Sequence, residues 1–103
     1  MRFRYTVKAS FDDEALAGEW LGWLRNGHCR DVLDGGASHV EIVAMEGEGL
    51  SFEVRYDFED REAFERYEAE HAEALRAEGL QRFPSERGVR YARTTGHLLY
   101  VDA

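Results

Sequence analysis

Residues 38–58, SHVEIVAMEGEGLSFEVRYDF, decide the fold. From Leu50 to Phe58 the apolar residues Leu50, Phe52, Val54, Tyr56 and Phe58 alternate with Ser51, Glu53, Arg55 and Asp57, which is the period of a half-buried strand. Ser38 to Met45 reads as a second strand, and the connection Glu46-Gly47-Glu48-Gly49 is a short glycine-containing link of the kind that closes a β-hairpin. Two strands therefore follow one another directly, with helical patterns on either side.

On the N-terminal side, Phe3, Tyr5, Val7 and Ala9 alternate with Arg2, Arg4, Thr6 and Lys8, giving a first strand over Arg2 to Ala9. Asp12 and Asp13 supply N-cap oxygens, and Leu16, Trp20, Trp23 and Leu24 recur at helical spacing, so the first helix is predicted from Asp13 to Asn26. Gly27 suits a left-handed stop, with Arg30 to Asp34 a short extra turn before Gly35 and Gly36. On the C-terminal side Asp60 caps a second helix carrying Phe64, Tyr67, His71 and Leu75 as its apolar stripe, predicted to end near Glu78 with Gly79 as its stop. Beyond Pro84, Gly88 to Thr95 reads as a strand, and His97 to Val101 either extends it or forms a separate edge. The order β-α-β-β-α-β is the α+β, ferredoxin-like arrangement, a four-stranded antiparallel sheet with two helices on one face, here as one domain over residues 1–103.

A chain of 103 residues is long enough to bury roughly two thirds of its unfolded surface without a staple. The single cysteine, Cys29, offers neither an internal disulfide nor a paired-thiolate metal site. The opening MRFRYTVKAS alternates charged and apolar residues, unlike a secretory leader or a membrane span, so a cytoplasmic location is the default expectation. With 21 acidic against 13 basic residues and a net charge of −8, the surface repels phosphate backbones and anionic lipid, and neither nucleic acid nor membrane is expected as a partner.

If the apolar residues of the first and third strands face the helices, the other face of the sheet carries Arg2, Arg4, Thr6, Lys8, Glu53, Arg55 and Asp57, with Glu41 beside them. Such a face is either solvated or paired with a second chain. Tyr91, Leu98, Leu99 and Tyr100 exceed what one small sheet edge needs to bury, which favours a face-to-face homodimer through the open face, closing a barrel.

The pattern W-L-x-W-L at Trp20 to Leu24, H-x-x-D-V-L at His28 to Leu33, Y-x-x-x-H-A-x-A-L-R at Tyr67 to Arg76, and Arg82-Phe83 together resemble a bacterial family of uncharacterised chains, domain-of-unknown-function family 4286, of the dimeric α+β barrel superfamily. The resemblance covers almost the whole chain. It implies a ferredoxin-like homodimer and no particular activity. This chain has Cys29 and Arg30 where the family more often has an apolar residue and proline.

Candidate residues concentrate in EWLGWLRNGHCRDVL, Glu19 to Leu33. His28, at the expected end of the first helix, faces carbonyls that favour a cation, and Asp31 is placed either to orient its ring as that of a base or merely to cap the next turn. His71, on the apolar stripe of the second helix, reads as a satisfied core residue, as a base between helix and sheet, or, through the resemblance, as an axial ligand to haem. Trp20, Trp23 and Tyr67 are core anchors or the walls of a ligand pocket. Cys29, between His28 and Arg30, is either a thiol of lowered pKa or a buried bystander. His39 and His97 are isolated on strands. No histidine pair has metal-ligand spacing, so neither a metal nor another cofactor is expected, with haem kept as the alternative. The resulting expectation is a small homodimeric binding or accessory protein for an unknown small molecule; the alternative is a dimeric-barrel enzyme of monooxygenase or isomerase type, with or without haem, using His71 or His28.

Overall fold

The computed structural model describes residues 1–102; Ala103, the last residue of the expected domain, lies outside the described residues. Strand β1 (Phe3–Phe11) lies at the centre, paired antiparallel with β3 (Leu50–Phe58) on one side and β4 (Val89–His97) on the other, and β2 (His39–Ala44) completes the order β2-β3-β1-β4. In this register Phe3 sits opposite Phe58, Tyr5 opposite Tyr56 and Val7 opposite Val54, so the alternating apolar residues of both strands share one face. The hairpin link turns through Gly47 and Gly49, both at positive φ (80° and 68°), a conformation that costs glycine little.

Two helical arms cover that face. The first joins α1 (Glu14–Trp23) to α2 (Cys29–Asp34), and the second joins α3 (Arg61–Tyr67) to α4 (Glu73–Arg82). Asp13 and Asp60 cap their helices as expected, accepting from Leu16 N–H at 3.0 Å and Ala63 N–H at 2.8 Å. Trp20 packs on Phe11 (ring centroids 5.3 Å apart) and Phe64 on Phe3 and Tyr5 (5.1 and 5.3 Å), which fixes both arms to the same face.

The arms differ in how they meet the sequence expectation. Gly27, at φ 166°, is extended, so the first helix breaks there as expected, though not through a left-handed turn, and Cys29 N–H donates to the Leu24 carbonyl five residues back across the kink, a π-helical turn over Leu24–His28 that leads into α2. A second π-helical turn, Glu68–Ala72, interrupts the other arm. The residue it adds rotates the buried face, so Ala72 is buried where the 3.6-residue period puts His71, and His71 turns outward. Gly79 lies inside α4, where a Cβ would come within 3.1 Å of the Trp23 ring; close approach of the arms, not termination, explains it. The C-terminal alternative resolves to β4 ending at His97, with residues 98–102 outside any strand.

The far face of the sheet carries the expected mixture of charges, and they pair within the chain. Asp57, 3% exposed, accepts two hydrogen bonds from Arg4 (2.7 and 3.0 Å). Arg55 bonds Glu53 at 2.9 Å and reaches Glu41 at 3.5 Å, while His39 lies 3.0 Å from Glu41. Asp57→Ala strands Arg4 and removes two charge-assisted bonds; unfolding in urea is expected to show a loss of about 2 kcal/mol, moderated by the partial exposure of Arg4. Exposed Arg61→Ala, which breaks only the surface pair with Glu65, is expected to change stability by less than about 0.5 kcal/mol in the same measurement.

Candidate functional site

Where the two π-helical turns face each other across the sheet, the layers do not close. A cleft of about 60 Å3 remains, bounded by Leu24 and His28 from one turn and Ala72 from the other. Its walls are Trp20 and Trp23 of α1 and Tyr67 of α3, with Val54 and Tyr56 of β3 as the floor. Leu75, Arg76, Gly79 and Leu80 of α4 and Tyr91 and Arg93 of β4 form the outer side. It opens there because β4 is an edge strand that the helices leave uncovered: Arg93 and Thr95 stand opposite Val7 and Tyr5 on the helix side, yet both are exposed. A neighbouring groove of about 360 Å3, lined by Tyr5, Phe64, Glu68, Arg76, Arg93 and Thr94, continues outward from the mouth.

Four of the residues singled out by sequence, Trp20, Trp23, His28 and Tyr67, meet in this cleft. His28 stacks on Trp23 with ring centroids 4.1 Å apart and an interplanar angle of 20°. Its Nδ1 is buried without a hydrogen-bond partner among the described residues. The expectation that a helix end raises its pKa fails: burial lowers the pKa, outweighing the charges of Asp31 and Glu78. Asp31 is exposed and lies with His28 on a separate outer groove bordered by Glu78 and Arg82. His71 lies outside the cleft, its side chain 45% exposed, with its ring centroid 6.4 Å from that of Tyr67 and close over Gly35. His28, Asp31 and His71 thus do not converge on one cavity.

Burial pushes the Tyr67 hydroxyl up to about 12 and holds that of Tyr56 well above its ordinary value. Burial likewise raises the Cys29 thiol, so its position beside Arg30 does not produce the activated thiolate considered from sequence. Among the described residues no group of three His, Cys, Asp or Glu side chains is disposed to hold a metal ion, and no helix is long and apolar enough to cross a membrane. Sequence reasoning missed Tyr5, Arg76 and Arg93. The legible signal was Arg93 itself, the charged member of the alternation Val89, Tyr91, Arg93.

Comparison with known proteins bears on the fold more than on the site. The sequence profile of a family described as Domain of unknown function (DUF4286) matches residues 3–94. No protein of curated function matches the chain. Among solved structures, a dimeric ferredoxin-like protein from an uncultured marine organism superposes with a TM-score of 0.73 at 12% identity, covering 98% of both chains. A monooxygenase of Streptomyces coelicolor, solved with nanaomycin D, gives 0.66 at 16% identity, covering 98% of this chain and 92% of its own. SnoaB, a cofactor-independent oxygenase of Streptomyces nogalater, gives 0.65 at 11% identity, covering 97% and 95%. At these identities the likeness shows the ferredoxin-like fold alone.

The lowered His28 pKa has a signed consequence for stability. The unfolded chain takes up a proton at this position as pH falls through about 6.5, while the folded chain resists, so stability is full above that value and declines below it until the folded pKa is passed. Urea midpoints of the wild type are expected to fall between about pH 7.5 and about pH 5.5, and the fall is expected to be smaller in His28→Phe, which keeps the stack on Trp23 without a titrating group.

Proposed function

The chain belongs to the DUF4286 family of domains of unknown function, and from that premise we propose that it is a homodimeric binding or accessory protein whose ligand is a small molecule held in the cleft between the π-helical turns. One observation carries this reading: an aromatic-walled cleft contains a buried polar atom, His28 Nδ1, with no partner among the described residues. Buried polar groups are nearly always satisfied, and a ligand donor or acceptor in the cleft supplies what the protein leaves open. The walls suit a flat apolar body, since Trp20, Trp23 and Tyr67 present ring surface. Drug-sized ligands occupy roughly 300–1,000 Å3, so occupancy of this narrower space requires the mouth to widen at Leu80 and Arg76, both at its outer side. The site needs no cofactor.

A second reading, a monooxygenase or isomerase, rests on His28 alone: a neutral, desolvated imidazole is suited to accept a proton from a bound substrate. His71, the other residue considered for this role and the haem ligand of the alternative, gains nothing from its place outside the cleft.

The homodimer is proposed through the open face. Its support is this chain's likeness in fold to dimeric ferredoxin-like proteins together with Leu99, Tyr100 and Val101, which stand 85%, 82% and 51% exposed just beyond β4. The charge pairs on that face are already satisfied within the chain, so they present a polar surface to a partner without bare charges.

Two measurements test these proposals. Ligand-observed and protein-observed NMR against a panel of small aromatic and alicyclic compounds is expected to yield binders that shift the indole N–H signals of Trp20 and Trp23 and that fail to bind Gly79→Leu, whose side chain enters the space beside Trp23. Binders that leave both indoles unmoved would place the site elsewhere. Light scattering at micromolar concentration in moderate salt is expected to give twice the chain mass of 11.9 kDa, and a monomer would contradict the homodimer.

A further inference from the structure

Two arginines stand at the mouth of the cleft in a chain whose net charge is −8. Arg93 donates from Nε to the Tyr5 hydroxyl at 3.1 Å and lies over the Tyr91 ring, 5.7 Å from its centroid. Among the described residues it is paired with no carboxylate. Arg76, half-buried on α4, borders the same two spaces as Tyr5 and has one carboxylate partner, Glu68, at 3.2 Å. Both guanidinium groups border the cleft and the groove outside it, so they flank the path from solvent to the tryptophans.

Arg93 stands on the helix side of the sheet, opposite Val7, where an apolar residue would extend the core. Arg93 has instead been given a planar platform and a neutral hydroxyl partner, which orient its fork without neutralising its charge. Tyr5 is only 6% exposed, so its hydroxyl holds the Arg93 guanidinium to a fixed point.

We infer that the ligand is an aromatic carboxylate, its ring between the tryptophan walls and its carboxylate bound by Arg93 and Arg76 at the mouth. This rests on the cleft being the ligand site and adds the chemical class. A carboxylate matches the planar fork in a way that a neutral polar group does not. Glu68 is the competing anion. It neutralises Arg76 in the free protein and leaves Arg93 as the principal recognition charge.

Calorimetric titration with 2-naphthoate and with the uncharged 2-naphthylmethanol separates this inference from the reading beneath it. The carboxylate is expected to bind the wild-type protein at least about tenfold more tightly than the alcohol, the size of one charge-assisted hydrogen bond. Exposed Arg93→Met is expected to remove that advantage while leaving the alcohol's affinity unchanged, with Arg93→Lys in between. Gly79→Leu is expected to weaken both compounds. Equal affinities for the two compounds, or an Arg93→Met protein that keeps the preference, would overturn the inference and leave the cleft as a site for neutral ligands. Binding of both that is insensitive to Gly79→Leu would overturn the cleft reading as well. Rising salt is expected to weaken the carboxylate selectively, and no salt effect would count against the arginines.

Discussion

Everything in this molecule depends on the register of β1 against β3. With Tyr5 opposite Tyr56 and Arg4 opposite Asp57, one face of the sheet collects aromatic and aliphatic side chains and the other collects charges. A slip of β3 by one residue against β1 would turn its side chains to the opposite face, exposing Val54 and Phe58 and burying Asp57 against the helices. The Arg4 to Asp57 pair and the continuous apolar face therefore specify the same alignment from opposite sides. The helical arms add a second constraint: each must fit the face with a helical period that the π-helical turns deliberately offset.

The strand framework was readable because alternation is local. Leu50–Phe58 appears in the structure with the bounds its sequence pattern implies, and both aspartate caps act as their positions suggest. The helices were less legible at residues 71 and 79. Glycine is a common helix stop, and Gly27 does break the first arm, but Gly79 lies at a close crossing with Trp23, a role that leaves no signature distinct from termination. His71 follows Tyr67 by four residues, as a buried partner should, and only the added residue of the turn moves it outward. The meeting of Trp20, Trp23, His28 and Tyr67 depends on where two arms approach, which local spacing does not encode. The break at Gly27 is present, but burial of His28 outweighs what a helix end offers a cation.

The same offsets account for the cleft. A π-helical turn widens its helix, and two of them side by side keep the arms from packing flush, leaving space that Trp23 and His28 only partly fill by stacking. Such a gap forfeits packing contacts, and the burial of an unpartnered His28 Nδ1 adds a further cost. Gly79 forgoes about 1 kcal/mol of helix propensity relative to alanine at the same place. Three local penalties gathered at one site are what a binding site carries and a merely structural core sheds. The arginines at the mouth give the gap a polarity, cationic outside and aromatic within.

The most direct measurement is a crystal structure of the protein grown with 2-naphthoate. Density for the ring beside Trp23 in the cleft, with the carboxylate at Arg93 and Arg76, is the predicted result. Naphthoate bound at another surface, with the cleft holding only ordered water bridged to His28 Nδ1, would contradict it.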